Sequence, residues 1–291
     1  MEFYNLQDQI KSNEIELIFP GWNYEDENVV IFSPHDDDAI LGAGYLILAC
    51  LEHKANVHVI IFCDGSAGYS ILEHKQKIIK IRKKETQAAL EVLGISRDHT
   101  SRFNLPDFSS IHHIGWKFPW VKSQDREDKE GLFAKVVSDL RNLKTTRLIL
   151  PNGYREHIDH TAVYLSALFD GPQVGDPVLI DHGNPIEINT FLQYSVWAKF
   201  SPENALIYNR EGDIRANRAI LVERQYENKI KASLEQFKSQ AQIISNLIQW
   251  RESRKYESSN QYLEVYLEMD PRPRFDSKPY LNLINKINQK S

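Results

Sequence analysis

The sequence predicts an α/β protein with a Rossmann-like, mostly parallel sheet and helices on both faces. Short apolar runs rich in Val and Ile alternate with helical segments, and polar clusters follow directly where the runs end. Parallel strands have such near-continuous apolar runs because helices bury both of their faces. The predicted strands are residues 29–32, 57–63, 101–105 and 147–150. We expect one domain over 1–291, in which 28–170 form the core and 171–291 a looser α+β elaboration.

The helical segments lie between these strands. Residues 41–51 are apolar on most faces, residues 78–93 have one basic face and stop at Gly94, and residues 132–143 carry one apolar stripe. The pattern after residue 170 predicts strands at 191–197, 219–222 and 261–268, one long helix from about 223 to 250, and a short polar helix at the end. Residues 1–27 are expected to pack on an edge of the sheet.

The overall composition argues against several classes of protein. The 291 residues carry a formal net charge of −5, whereas a nucleic-acid-binding protein needs a basic face. The sequence has no apolar run long enough to span a membrane. Cys50 and Cys63 fall in a predicted helix and a predicted strand, which favours buried thiols. With no signal-peptide pattern at the start, these features predict a cytoplasmic location.

The first polar cluster follows the first predicted strand. Pro34 ends that strand, and His35, Asp36, Asp37 and Asp38 come directly before a helix. Open α/β sheets place their sites at this edge. Three adjacent carboxylates repel one another unless a cation or several N–H donors offset the charge, and an imidazole with a carboxylate suits zinc. An acidic helix N-cap is the structural alternative.

The second cluster follows the strand at 147–150 and contains His157, Asp159 and His160. The two histidines are three residues apart and share one side of a starting helix, and Asp159 can accept an imidazole N–H. Three ligands from the two clusters would leave an open position for water on zinc, with a spare carboxylate and a spare histidine for acid–base chemistry. The pattern indicates a metal-assisted hydrolase. A dinucleotide site is excluded because the first turn has carboxylates where glycines are needed.

Residues 108–130 form an irregular segment in which aromatic side chains are frequent. Such a long loop is often a lid or a wall of a substrate site, and a surface excursion held by its aromatic residues is the alternative. Its ring-bearing members include His112, His113, Trp116, Phe118 and Trp120, and Pro119 lies among them.

The two clusters together resemble the signatures of the LmbE-like, or PIG-L, zinc-dependent N-deacetylases. Those signatures are (Ala or Pro)-His-Pro-Asp-Asp-Glu and His-x-Asp-His. This chain has Pro-His-Asp-Asp-Asp-Ala at 34–39 and matches the second signature at 157–160. The resemblance covers residues 28–168 well and 190–268 loosely. Two positions depart from it, since Asp36 replaces the usual Pro and Ala39 the usual Glu.

The resemblance implies a role for each matched residue. It makes His35, Asp38 and His160 the zinc ligands, Asp37 the general base, His157 the group that stabilises the oxyanion or protonates the leaving amine, and Asp159 the group that orients or charges a histidine. Arg82 and Asp107 match positions that contact the sugar.

Two further residues extend this assignment. The extra carboxylate of Asp36 could shift the pKa of the base or hold a polar group of the substrate. Arg155 stands where some family members have a tyrosine, and it suits an anionic substrate such as a phosphorylated or nucleotide-linked sugar. A surface arginine without a function is the alternative.

The implied reaction is attack of zinc-bound water on the acetamide of an N-acetylated amino sugar or its conjugate. Two alternatives stay open: an amidase that acts on a peptide or an acylated natural product, with the aromatic loop as an apolar wall, and a non-catalytic sugar-binding relative. Two imidazoles and one carboxylate also accept Fe2+ or cobalt. The second half of the chain offers surface for a homo-oligomer interface.

Overall fold

The computed structural model describes residues 1–116, 131–201, 214–256 and 259–289. The strands in these ranges are β1 (Glu2–Asn5), β2 (Ile10–Ser12), β3 (Asn28–Ser33), β4 (Asn56–Cys63), β5 (Thr100–Leu105), β6 (Arg147–Pro151), β7 (Thr190–Tyr194), β8 (Arg218–Glu223), β9 (Lys255–Tyr256) and β10 (Gln261–Met269). The α-helices are α1 (Asp38–Glu52), α2 (Ile78–Leu93), α3 (Leu132–Asn142), α4 (Ile158–Phe169), α5 (Arg224–Leu234), α6 (Ala241–Arg251) and α7 (Lys278–Asn288).

These strands form one sheet in the order β2-β1-β8-β10-β7-β6-β3-β4-β5, and β9 pairs with β10. The five strands from β7 to β5 pair in parallel with one another, with β3 between β6 and β4. The other strands pair antiparallel. The predicted α/β fold is therefore confirmed. Residues 1–27 supply β1 and β2, which form the antiparallel edge.

Both faces of the parallel half are covered, which explains the continuous apolar run of β3. Val29 and Ile31 pack into a cluster with residues of α1, α2 and α5. Val30 and Phe32 point to the opposite face, where they meet residues of α3 and α4. Because successive side chains of a strand point to opposite faces, a strand between two helical layers must be apolar at every position.

The long helix expected from 223 to 250 is two helices, α5 and α6, so that prediction was wrong. The chain turns between them, where Phe237 is buried and Ser239 donates from its N–H and its hydroxyl to the Glu85 carboxylate, at 2.7 Å each. Both helices bury apolar residues in the same core cluster. The apolar spacing therefore continues across the turn, and periodicity alone does not detect it.

Within the described ranges, the helices are too short or too polar to cross a membrane. Since β3 and β6 are neighbouring parallel strands, the loops that follow them leave the sheet at the same edge. The two polar clusters of the sequence lie in those loops, and the functional site is found there.

Candidate metal centre

The two clusters meet at the carboxyl edge of the sheet. His35 and Asp38 follow β3, and His160 lies in the first turn of α4, after β6. One donor atom from each of these three residues lies within 4.8 Å of the others. Two loops more than one hundred residues apart in the chain therefore present an N, N, O donor set at one place.

Asp38 connects the two imidazoles. Its Oδ2 lies 3.1 Å from His35 Nδ1 and 3.0 Å from His160 Nε2, and it accepts the His35 backbone N–H at 2.8 Å. Burial opposes ionisation of Asp38, but the His160 and His35 imidazoles outweigh it and hold the pKa of this carboxyl well below its usual range. The carboxylate is therefore ionised and ready to bind a cation.

The second nitrogen of each imidazole faces another carboxylate. His160 Nδ1 lies 2.7 Å from Glu156 Oε2, and His35 Nε2 lies 3.3 Å from Asp159 Oδ2. When these nitrogens carry the protons, His160 Nε2 and His35 Nδ1 present lone pairs toward Asp38. His160 Nε2 is buried and lacks a hydrogen-bond partner in the described part of the chain. This carboxylate–histidine arrangement is the usual support of metal-binding imidazoles, so the three residues fit a divalent ion.

A second group of donors, His35, Cys63 and Asp159, is equally compact. Burial raises the pKa of the Cys63 thiol, whose sulfur lies 3.2 Å from the Ser110 hydroxyl. The Asp159 carboxylate accepts the backbone N–H groups of Phe108 and Ser110 at 2.7 and 3.0 Å. A protonated thiol and an engaged carboxylate are weak ligands, so the triad around Asp38 fits a metal better.

Asp37 lies beside the triad with its carboxylate open. The nearest charged partner is Arg82, whose Nη2 is 3.8 Å from Asp37 Oδ1, and the Asp37 side chain makes no capping hydrogen bond to the start of α1. Burial raises the pKa of Asp37. A carboxylate held this loosely beside the donor triad can accept a proton.

His157 is held as a neutral donor at the start of α4. Its Nδ1 accepts the Asp159 backbone N–H at 3.2 Å, so Nε2 carries the proton. The Asp159 carboxylate is 3.4 Å from the same nitrogen, too long for a strong hydrogen bond. Burial and the His35 imidazole lower the pKa of His157. Its ring centroid lies 4.8 Å from that of His35.

The carboxylate of Asp36 is bound by protein side chains, and its effect on the base or contact with a substrate stays a prediction. Asp36 is buried, and its carboxylate accepts from Arg82 Nε at 2.9 Å, from the Thr86 hydroxyl at 2.6 Å and from the Arg102 guanidinium. Two guanidinium groups offset the extra charge that replaces the usual proline. The carboxylate therefore points into the protein, away from the donor atoms of the metal triad.

Arg82 also has partners within the protein. The side chain is 3% exposed, its guanidinium bonds the Gln240 side chain, and it lies 4.8 Å from the centre of the Phe237 ring. The expected contact of Arg82 with a sugar stays a prediction. Arg82 links Asp36 and Asp37 to the turn between α5 and α6.

Asp107 and Arg155 complete the predicted substrate residues. Asp107 accepts the N–H groups of Gly65 and Ala67 at 3.0 and 2.8 Å, so it fixes the loop after β4, where Gly65 has a φ of +77°. Arg155 is exposed at the mouth of the loop after β6 and stacks 5.3 Å from the centre of the Tyr154 ring. Its contact with an anionic substrate stays a prediction.

The sequence interpretation missed Glu156. One of its oxygens faces His160, and the other accepts hydrogen bonds from the Ser195 hydroxyl and the N–H groups of Val196, Trp197 and Ala198, at 2.9, 2.9, 3.1 and 3.1 Å. These bonds turn the backbone, which is why β7 ends at Tyr194 and not at residue 197. The only local signal was a carboxylate four residues before a histidine.

Trp197 is the second missed residue. Its ring centroid lies 5.2 Å from that of His160, and half of its surface is exposed.

The aromatic loop expected at 108–130 is described only in part. Residues 110–113 form a 3₁₀ turn, and the ring centroids of Trp116 and Phe133 lie 5.8 Å apart. Residues 117–130, including Phe118, Pro119 and Trp120, lie outside the described residues.

Comparison with solved structures shows the same fold at low sequence identity. The conserved protein TT1542 from Thermus thermophilus is 18% identical, with a TM-score of 0.60 over 86% of this chain and 97% of that chain. N,N'-diacetylchitobiose deacetylase from Pyrococcus horikoshii is 19% identical, with a TM-score of 0.60 over 84% of each chain. GalB, the 4-carboxy-2-hydroxymuconate hydratase from Pseudomonas putida KT2440, is 16% identical, with a TM-score of 0.60 over 86% and 99%.

Comparison of sequences adds the family. No curated protein matches the chain. Residues 30–168, which contain both polar clusters and the strands that present them, match the profile of the family described as PIG-L: GlcNAc-PI de-N-acetylase. Over this segment, just under half of its length, the chain matches the PIG-L, or LmbE-like, family.

Proposed function

We propose that this protein is a metal-dependent hydrolase that removes the acetyl group from an N-acetylated amino sugar or its conjugate. The observation that carries the proposal is the donor set of His35, Asp38 and His160, each within 4.8 Å of the others, beside the open carboxylate of Asp37. The match of residues 30–168 to the PIG-L family supports an amide substrate. The fold alone does not select the reaction, since a protein named as a hydratase shares it.

In the proposed reaction, three residues hold the metal ion and two others transfer protons. A divalent ion held by His35, Asp38 and His160, which we propose to be Zn2+ with Fe2+ as an alternative, would polarise the acetamide carbonyl and acidify a water molecule. Asp37 accepts the proton of the attacking water. His157 donates its Nε2–H to the carbonyl oxygen as negative charge develops there. The C–N bond then breaks, and the amine nitrogen takes a proton from Asp37 or His157, which leaves acetate and a free amine.

The substrate and its setting are part of the proposal. The exposed guanidinium of Arg155 favours an anionic sugar, either phosphorylated or nucleotide-linked. Cys50 and Cys63 are buried free thiols, which supports a reducing, cytoplasmic location. The sheet runs without interruption from 28–170 into 171–291, which supports one domain. We propose that the surface of any homo-oligomer interface comes from the second half of the chain, residues 171–291.

Acetate release tests the function. Zinc-loaded protein is incubated with free, phosphorylated and nucleotide-linked N-acetylglucosamine, and with N-acylated peptides and acylated natural products, with and without a chelator. Release from an amino sugar that stops on chelation and in Asp37→Asn is the expected result. Release from the peptides or natural products alone would favour the amidase alternative. If no compound released acetate and Asp37→Asn changed nothing, the protein would not be a deacetylase.

A further inference from the structure

Helix α1 is broken one turn after the residue that begins it. Asp38 is its first residue, and Ala43 has non-helical angles, φ −132° and ψ 22°. The break separates a one-turn segment, residues 38–42, from the rest of the helix, residues 44–52. Sharp helix breaks need a cause such as proline, glycine or an inserted side chain. This segment has no proline, but Gly42 and Gly44 flank Ala43 and permit the break. Side chains from the C-terminal half of the chain are inserted at it.

Charged side chains bind two backbone groups at the break. In a regular helix, the Tyr45 N–H would donate to the Leu41 carbonyl. Here the Tyr45 N–H donates to Glu264 Oε2 at 2.9 Å. The Leu41 carbonyl accepts from Arg251 Nη1 and Arg254 Nη2, each at 2.9 Å. Side chains from α6, the turn after it and β10 therefore replace the helical hydrogen bond.

These charged groups form a buried network. Arg251 Nε and Nη2 donate to the Glu227 carboxylate at 3.0 and 2.7 Å, and Arg254 Nη1 donates to Glu264 Oε1 at 2.8 Å. Tyr266 donates its hydroxyl to Glu264 Oε2 at 2.5 Å. Burying several charges adds little net stability, because desolvation offsets their attraction. We therefore interpret this network as one that fixes the backbone geometry at the break in α1.

The one-turn segment is also held near its start, at Ala39, and near its end, at Gly42. The Ala39 N–H donates to the Ser33 hydroxyl at 3.1 Å, which ties the start of the segment to the end of β3. A Cβ on Gly42 would lie 2.3 Å from Tyr194 Cδ2, so the backbone lies directly against β7. Two guanidinium groups bind the carbonyl end of the turn, where the helix dipole favours cations. The direction of Asp38 therefore depends on both ends of the segment.

We propose that Arg254, together with Arg251 and Glu264, forms a positioning clamp that sets the geometry of Asp38 toward His35 and His160. The clamp acts through the Leu41 carbonyl, three residues beyond Asp38. All three of its members lie outside residues 30–168, the segment that matches the family. The inference rests on the proposed metal centre, because it concerns how well Asp38 serves as a ligand.

Metal affinity tests the clamp without substrate. Arg254→Leu is made in the full chain, and the Kd for Zn2+ is measured by competition with a chromophoric chelator, together with the absorption spectrum of the Co2+-loaded protein. We expect the Kd to rise about tenfold or more, by analogy with residues that support metal ligands, and the Co2+ bands to shift. Arg254→Lys, which retains one donor, should recover part of the affinity.

Arg141→Leu is the matched control. Arg141 is buried and, like Arg254, donates to backbone carbonyls, among them those of Val174, Leu179 and Asp176, but on the α3 face of the sheet. Its loss should reduce thermal stability and leave the Kd for Zn2+ unchanged. If Arg254→Leu and Arg141→Leu changed the Kd equally, the effect would be general loosening of the fold and the clamp would be refuted.

A double-mutant cycle tests the route through Asp38. In an Asp38→Ala background, Arg254→Leu should change the Kd less than about twofold, since the ligand that the clamp positions is gone. An equal loss in both backgrounds, or an unchanged Kd in Arg254→Leu alone, would overturn the inference. A protein that showed the expected shifts but hydrolysed no acetamide would refute the proposed function and leave the clamp standing.

Discussion

Replacing Glu156 with glutamine tests whether one carboxylate sets the proton position on His160. Glu156 Oε2 lies 2.7 Å from His160 Nδ1, and Oε1 accepts four hydrogen bonds from residues 195–198. Glutamine has the same shape but offers one acceptor oxygen and one NH2 donor. It can therefore satisfy the loop or the histidine, and not both.

The two orientations of the amide have different costs. With its NH2 toward the loop, it would lose the four hydrogen bonds at Oε1, at roughly 0.5–1.5 kcal/mol each. With its oxygen toward the loop, only the contact to His160 changes, and the NH2 then donates to His160 Nδ1. That orientation is favoured, and it forces the proton onto His160 Nε2, the atom that faces Asp38. We expect Zn2+ affinity to fall about 10- to 100-fold, or about 1.4–2.8 kcal/mol.

Chelator competition measures the Kd for Zn2+, and urea titration of the metal-free protein measures stability. The control is Glu27→Gln, which changes another buried carboxylate with an N–H and an arginine partner, before the start of β3. Glu27→Gln should lower the free energy of unfolding without changing the Kd. If Glu156→Gln bound Zn2+ as tightly as the wild type, the tautomer argument for His160 would be wrong.

Three other outcomes follow from the site and its surroundings. Asp37→Asn should lower kcat at least about 100-fold and change the Kd for Zn2+ less than about threefold, because it removes the base and no ligand. Steady-state kinetics with metal titration measure both values. A loss of Zn2+ affinity as large as the loss of kcat would contradict this role. In the metal-free protein, burial opposes protonation of His160, but Asp38 raises the pKa of His160 to about 9. The protonated imidazole of His160 therefore adds about 3 kcal/mol to the free energy of unfolding. This stabilisation is complete below pH ~6.5 and is lost as the pH rises through about 9. Urea titrations of the wild type and His160→Asn should differ more at pH 6 than at pH 10, and a difference independent of pH would contradict this. Gly42→Ala should lower the free energy of unfolding by about 1–3 kcal/mol, since its Cβ would lie 2.3 Å from the Tyr194 ring. An unchanged Tm would show that β7 shifts to accommodate the methyl group without cost.

The three adjacent aspartates show where prediction from the sequence succeeded and where it stopped. Their position after β3 was predictable, because a buried strand followed by polar residues is a local pattern. Their roles were not, because neighbouring side chains point in different directions. Asp36 faces Arg82 and Arg102, Asp37 stays open, and Asp38 faces the imidazoles.

The same division applies to the chain as a whole. Strands, most helices and the two histidine motifs were predictable from residues close together in the sequence, because apolar periodicity and turn residues act over a few positions. The support of the site was not, because it depends on contacts between distant segments. Glu156 binds residues 195–198, and the Leu41 carbonyl is held by Arg251 and Arg254. The packing of the sheet and helices determines which residues become partners. It brings together residues far apart in the chain, and the local sequence pattern does not predict such pairs.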